Sequence, residues 1–299
     1  MYTVKHAAAL TGIPAETLRM WERRYDVVAP VRSDGGYRLY DDAAIARLTA
    51  MHALVEAGWS PRLAAEQVRS GTTSGPIADV PVDGDVVPLP VDVEALVSVA
   101  VDFDAHRLEA LLERMFEQDD FEAVIDGWLM PALLALGAAW HRGEVTVAGE
   151  HFVSASVQRR LAATFDATSV AVDAPRVVVG LARGSRHELG VLAFAVALRR
   201  AGVDVLYVGA DLPAETWVVT ATGLLPAAIV LGVPASDDVP AVRDTVAALA
   251  AARPKLPVFV GGGRQAHIGG AAIPLGHRLR EGAVAVADRL GVVTAPAGA

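Results

Sequence analysis

The sequence predicts a multidomain chain: an N-terminal winged helix-turn-helix, a central four-helix bundle and a C-terminal doubly wound α/β domain of Rossmann-like layout. Three observations carry this. The first 70 residues show helical periodicity, a break at TGIP and a Gly-Gly turn. Residues 91–165 hold long apolar-periodic stretches without strand-like alternation. Beyond Pro175 short Val-rich runs alternate with helical segments, the grammar of parallel strands covered on both faces.

In order along the chain, TVKHAAALTGIPAETLRMWERRY (3–25) reads as two short helices. Thr3 is a cap for the first, and Pro14 opens the second, where a missing N–H costs nothing. RSDGGYRLYDD (32–42) places a Gly-Gly turn between two short strands, a wing beside the second helix. SGTTSGPIADVPVDGDVVPLP (70–90) is a run of Gly, Pro and Asp without repeat, an interdomain linker. Helical stretches follow over VDVEALVSVAVDFDAHRLEALLERMF, FEAVIDGWLMPALLALGAAW and GEHFVSASVQRRLAATF. The strands are RVVVGLA, VDVLYVG, AAIVLGV and LPVFVGG, and the tail VVTAPAGA reads as loose. The expected domains are 1–70, a linker at 71–90, a helical bundle at 91–170 and the α/β domain at 175–295.

Composition limits the chemistry. The chain has 299 residues, 53% hydrophobic and 20% charged, enough to bury a sizeable core. With no cysteine, disulfides, thiolate metal sites and thiol catalysis are excluded. The formal charge of −9 argues against a uniformly basic coat but leaves room for a local basic face. The N-terminus lacks a signal-peptide pattern, and runs such as LGVLAFAVAL are too short to span a bilayer. A soluble, cytoplasmic protein is the expectation.

Three groups of residues carry candidate chemistry. Between residues 19 and 38 five arginines (Arg19, Arg23, Arg24, Arg32, Arg38) face three acids (Glu22, Asp26, Asp34), an excess of two. Such a face can grip phosphates and reach bases, and it equally fits a small helical domain with its charges in water. In the loop GSRHELG, at the carboxyl end of the first α/β strand, His187 offers a nitrogen ligand and Gly190 permits close approach of a bulky group. A polar loop residue at a helix start fits His187 as well. Between two predicted helices, AAWHRGEVTVAGEH (138–151) gathers Trp140, His141, Glu150 and His151. Tryptophan gives an apolar wall, glutamate accepts hydrogen bonds from hydroxyls, and histidine donates a bond or ligates a metal. Helix-end decoration is the alternative. Zinc held by His141, Glu150 and His151 is disfavoured, because adjacent residues on a helix point apart.

The first segment, MYTVKHAAALTGIPAETLRMWERRYDVVAPVRSDGGYRLYDDAAIARL, resembles the winged helix-turn-helix of MerR-type regulators over nearly its whole length. That resemblance implies double-stranded operator DNA as partner. Arg19, Arg23 and Arg24 of the second helix would then approach the major groove, with Tyr25, Tyr37 and Arg38 supporting or contacting the backbone. MerR-type domains work in pairs, yet no long heptad stretch follows residue 60, so self-association has to come from elsewhere. His-x-x-Gly, an amphipathic helix and YVGADLP together resemble the cobalamin-binding domain of methionine synthase and its relatives. There the loop histidine, here His187, is the lower ligand to cobalt. Two positions depart from that pattern. Ser185 stands where Asp or Glu usually accepts the histidine's other N–H, and Gly232 stands where Ser or Thr usually follows the third strand. The later Gly-rich site survives as Gly261, Gly262 and Gly263. A dinucleotide site is the competitor, but Gly-x-Gly-x-x-Gly is absent from this loop.

Trp140, nine residues, then Glu150-His151, in a bundle ahead of such a domain, resembles the CarH family of light-sensing MerR-type repressors of carotenoid synthesis. That resemblance implies adenosylcobalamin as cofactor. Trp140, Val147 and Glu150 would lie around its upper adenosyl group, with His151 nearby, and His141 would bind cobalt once that group has left. It further implies a homo-oligomer, a tetramer in the dark, and a repressor rather than an enzyme. Three rival readings follow from the same residues: a light-indifferent cobalamin-sensing regulator or antirepressor, a cobalamin-dependent methyltransferase-type module, and a pocket for another cobalamin form or a second chromophore.

Overall fold

The computed structural model describes residues 1–28, 30–32, 38–56, 64, 65, 68 and 93–292. It divides into two compact units, Met1–Gly75 and Pro76–Ala299. The linker expected at 71–90 and all of the expected loose tail after Val292 lie outside the described residues.

In the first unit, β1 (Tyr2–Thr3) leads into α1 (Val4–Thr11), α2 (Ala15–Tyr25), β2 (Val31–Arg32), β3 (Arg38–Tyr40) and α3 (Asp42–Glu56). Thr3 caps α1, its hydroxyl accepting the His6 N–H. Gly12, at φ +70°, ends α1, and the Thr11 hydroxyl donates back to the Ala7 carbonyl. Pro14 sits just before α2 as its cap residue rather than inside it. The wing strands pair antiparallel, and β1, absent from the sequence reading, completes a β1-β3-β2 sheet. Leu18 and Trp21 of α2 pack inward with Ala7, Ile13, Tyr40, Leu48 and Met51, which leaves the arginine face of α2 outside.

The second unit begins with four helices: α4 (Ala95–Asp102), α5 (Ala105–Phe116), α6 (Phe121–His141) and α7 (Val147–Ala167). The sequence reading ran α4 and α5 together. They part at Phe103, which takes φ +52°, and Asp104 caps α5 by accepting the Arg107 N–H. Asp120 and Thr146 cap α6 and α7 in the same way. Helix α6 carries a π-helical turn at Ile125–Leu129. There the Met130 N–H returns to the Ile125 carbonyl, and Pro131, next in line, has no N–H to give. By length and hydropathy α6 could cross a membrane. Its Ile125, Trp128, Leu129, Ala132, Leu136 and Ala139 are instead buried in the bundle core with Leu96, Val99, Leu108, Val153 and Val157. Gly149 lets α7 close on α4, since a Cβ there would lie 2.5 Å from the Ala100 carbonyl oxygen.

The bundle rests on an α/β domain with a five-stranded parallel sheet. Its strands are β4 (Arg176–Ala182), β5 (Asp204–Leu212), β6 (Ala228–Gly232), β7 (Val258–Gly261) and β8 (Ala272–Pro274), ordered β5-β4-β6-β7-β8. The four expected strands are present, and the short edge strand β8 joins them. Helices α8 (Glu188–Arg200) and α11 (Leu279–Arg289) cover one face, and α9 (Ala214–Leu224) and α10 (Val239–Ala252) cover the other. The chain leaves β4 in one direction to β5 and later returns to its other side as β6. The crevice beyond the carboxyl ends of β4 and β6 is therefore the switch point where such sheets bind ligands.

Leu192, Ala193 and Val196 of α8 belong to the bundle's core, so the two layers share apolar contacts. Polar ties reinforce them. Glu122 pairs with Arg200 at 2.9 Å, Arg280 reaches Asp120, and Asp126 accepts the Leu279 N–H at 3.0 Å. Arg199 donates to the Phe165 carbonyl and lies 3.8 Å over its ring.

Candidate functional site

Helix α2 exposes Arg19, Arg23 and Arg24, with Arg23 and Arg24 in its last turn, where the helix dipole favours cations. Arg24 lies 5.8 Å from the Tyr25 ring. Arg38 faces inward to a partner. Its Nε reaches both carboxylate oxygens of Glu22, at 2.9 and 2.8 Å, and Tyr40 donates to the same carboxylate. The Glu22 carboxylate raises the Arg38 pKa above its ordinary value. Arg38 thus ties the wing strand to α2, a supporting place rather than a free end. Tyr37 lies outside the described residues.

The second group forms on the carboxyl edge of the sheet. From β4 the chain turns through Gly184, at φ +86°, and reaches His187, the residue preceding α8. The His187 side chain makes no capping bond to that helix, so its ring is not committed there. Glu188, next in line, accepts the Tyr207 hydroxyl at 2.9 Å. Burial, with Glu188 adding to it, pushes the Tyr207 phenol well up and keeps it a proton donor. Ser185 is buried, and its hydroxyl oxygen has no protein partner. Gly190 lies under the bundle: a Cβ there would touch the Met130 methyl at 3.6 Å.

Gly232, Gly261 and Gly262 stand at the ends of β6 and β7. Gly262 has φ +106°, and a Cβ on it would lie 2.9 Å from the Val233 carbonyl oxygen. Gly263 follows, half-buried. At Gly232 a Cβ would fall 2.5 Å from Leu181 Cδ2. The departure at residue 232 is therefore matched by bulk on the neighbouring strand, a contact that strand spacing in the sequence does not reveal.

The third group sits where α6 ends and α7 begins. Trp140 and His141 close α6, with ring centroids 4.9 Å apart. After a turn capped by Thr146, Val147, Glu150 and His151 open α7. Glu150 accepts the Ser154 hydroxyl at 2.6 Å and lies 2.8 Å from His151 Nδ1. Desolvation lowers the His141 pKa below the ordinary histidine value and favours the neutral ring, the form that ligates metals. Among the described residues no three of His, Asp and Glu gather around a metal-sized point, so the zinc alternative has no arrangement to support it. Trp140 lies ten residues beyond Met130 on one helix, about 15 Å by helical rise. Helix α6 therefore connects the Gly190 edge with the Trp140–Glu150 turn. The sequence reading missed Met130, Leu181 and the Tyr207–Glu188 pair, since none of them has a motif.

A corrinoid fits what these residues offer. A side-chain-free edge at Gly261–Gly262 gives room for a large ligand, an uncommitted imidazole stands at the switch point, and a buried hydroxyl beside it lacks a partner.

Residues 2–70 match a family model described as MerR HTH family regulatory protein, and residues 93–164 and 175–268 match two described as B12 binding domain. The HTH-type transcriptional repressor CarH of Myxococcus xanthus is 32% identical over 266 residues, 87% of this chain and 88% of that protein. The HTH-type transcriptional repressor CarA of the same organism is 32% identical over 213 residues, 71% of this chain and 69% of that protein. Among solved structures, the monomethylamine corrinoid protein of Methanosarcina barkeri shares the fold. Its TM-score is 0.52 at 15% identity, over 66% of this chain and 95% of that one.

Proposed function

This chain belongs to the family of MerR-type transcriptional repressors with B12-binding domains that includes CarH and CarA, and from that premise we propose that it is a cytoplasmic, light-dependent repressor. It would hold operator DNA in the dark with adenosylcobalamin bound and release it in light. The observation that carries the reading is the placement of Trp140 and His141 at the end of the helix whose Met130 overlies Gly190, with Val147, Glu150 and His151 opening the next helix after a single turn.

When bound, adenosylcobalamin supplies a cobalt–carbon bond that visible light breaks. The residues do the rest. His187 would hold the metal with its imidazole, and Gly190, Gly261, Gly262 and Gly263 would let backbone approach the rest of a bulky ligand. Trp140 and Val147 form an apolar wall above, and Glu150 accepts hydroxyl hydrogens. His141, its neutral form favoured by desolvation, would offer a lone pair to the metal. In the dark the filled upper space fixes the bundle against the α/β domain and supports a homo-oligomer, a tetramer. Linked heads raise one another's effective concentration on DNA, which suits a domain with a small arginine excess. Without a bound adenosyl group Trp140 would lack a packing partner, and His141 would be the residue to supply a nitrogen ligand that holds the altered arrangement. Light supplies the energy once, so the protein works as a switch and not as an enzyme with turnover.

The light-indifferent reading has one observation in its favour: Ser185 brings no charge to the loop histidine. Absorption spectra of the purified protein with adenosylcobalamin, in darkness and after green light, separate the readings. A bound spectrum that converts to a stable bis-histidine form supports the switch. Binding without a stable photoproduct refutes the light response, and no binding refutes the cofactor. His187→Ala is expected to change the bound spectrum, and His141→Ala to leave dark assembly intact while destabilising the photoproduct.

A further inference from the structure

We propose that Asp211 is a positioning residue for His187, holding the loop that presents the imidazole; this rests on the reading of His187 as the lower ligand. Three observations converge on it. First, Asp211 and the loop exchange a reciprocal pair of hydrogen bonds. The Gly184 N–H donates to Asp211 Oδ1 at 2.7 Å, and the Asp211 N–H donates to the Ser185 carbonyl at 3.2 Å. The Arg183–Gly184 and Ser185–Arg186 peptides, which flank the segment just before His187, are thereby both held by Asp211.

Second, the backbone at Asp211 is specialised. It takes φ +61°, a conformation that Asp and Asn adopt more readily than other residues bearing a Cβ, and that they support with short polar side chains. It also falls where the β4–β5 ladder slips: Gly180 pairs with Gly209, and Ala182 pairs with Leu212. Two residues on β5, Ala210 and Asp211, thus face one on β4, Leu181. Such a bulge turns a side chain out of the strand's alternation, and here that side chain meets the Gly184 N–H.

Third, β5 holds the loop again on the far side of His187, where the Tyr207 hydroxyl donates to Glu188. The histidine is therefore spanned by two ties from a single strand. The Ser185 side chain supplies no such tie, because its buried hydroxyl has no protein partner. In this chain the loop's order comes from β5 rather than from the side chain two before the histidine.

The test uses the full-length protein with Asp211→Gly and Asp211→Asn. Glycine removes the acceptor but accepts φ +61° without strain; asparagine keeps both an acceptor oxygen and tolerance of that conformation. Titration with adenosylcobalamin, followed by absorption, is expected to show about 10- to 100-fold weaker binding for D211G and a spectrum shifted toward a form without the nitrogen lower ligand. D211N is expected to keep the wild-type spectrum. In the ligand-free protein, amide exchange at Gly184 should quicken by about tenfold or more in D211G and not in D211N. Wild-type spectrum and affinity in D211G would overturn the proposal, as would D211N failing like D211G. If wild type binds no cobalamin, the cofactor reading falls and the ligand-positioning role falls with it. Unchanged Gly184 exchange in D211G would sink the loop tie by itself, whatever the cofactor.

Discussion

Gly232→Ala tests whether Leu181 and Gly232 act as one packing unit. A Cβ at 232 would lie 2.5 Å from Leu181 Cδ2 and 3.5 Å from Val191 Cβ, against an ordinary contact of at least 3.4 Å. Leu181 must therefore yield by about 0.9 Å, yet it is fully buried, and Val191 closes the side toward α8. Overpacking of this kind costs about 1–3 kcal/mol. In a unit of this size that lowers Tm by about 2–4 °C per kcal/mol. Leu181→Ala alone should cost about 2–5 kcal/mol by leaving a cavity. In the double variant the added methyl enters the space that the leucine gave up. Its loss should then fall short of the summed single losses by about 1–3 kcal/mol. Denaturant unfolding followed by far-ultraviolet dichroism measures all four corners of the cycle. Additivity within about 0.5 kcal/mol would refute the coupling.

Other expectations follow from single contacts. Gly149→Ala sets a methyl 2.5 Å from the backbone oxygen of Ala100, which no rotamer change relieves, so α7 and α4 must separate at a cost of about 1–3 kcal/mol in thermal unfolding. Burial raises the Asp126 pKa, so the folded state holds its proton more tightly than the unfolded chain and stability falls as pH rises from the ordinary Asp range to the raised value. Asp126→Asn keeps an acceptor for the Leu279 N–H and removes that titration. Its Tm relative to wild type should grow through that window, and a constant difference would contradict the assignment. Glu22→Ala removes the acceptor shared by Arg38 and Tyr40, and should cost about 0.5–1 kcal/mol, seen as faster amide exchange across Arg38–Tyr40.

What the sequence discloses follows how local each cause is. The Thr3 cap and the Val-rich strands were legible because their causes lie within a few residues. The four longer strands alternate cleanly with helices, which marks them as parallel, but their order in the sheet has no local signal. Strand β8 was not legible: three residues, one of them a proline, at a sheet edge give no periodic signal. The break at Phe103 hides in an apolar-periodic run, because its αL backbone belongs to a residue that rarely adopts it. At the candidate site, His187, Trp140 and Glu150 stand out by residue type. Leu181, Met130 and Asp211 do not, since their roles come from neighbours far away in sequence. Gly232 shows the limit well: it looks like an isolated departure until strand pairing sets Leu181 beside it.

The wide turn at Ile125–Leu129 sets the phase of everything after it on α6. A π-helical turn holds one more residue than the α-helical turn it replaces, and one residue is about 100° of rotation. Deleting a single residue there would restore ordinary winding and leave Trp140 and His141 on the side they now occupy, whereas rewinding the turn as α-helix with every residue kept would rotate them by about that angle. For this helix the winding of the turn between Val124 and Pro131 decides which way Trp140 and His141 face, as their identity decides their chemistry.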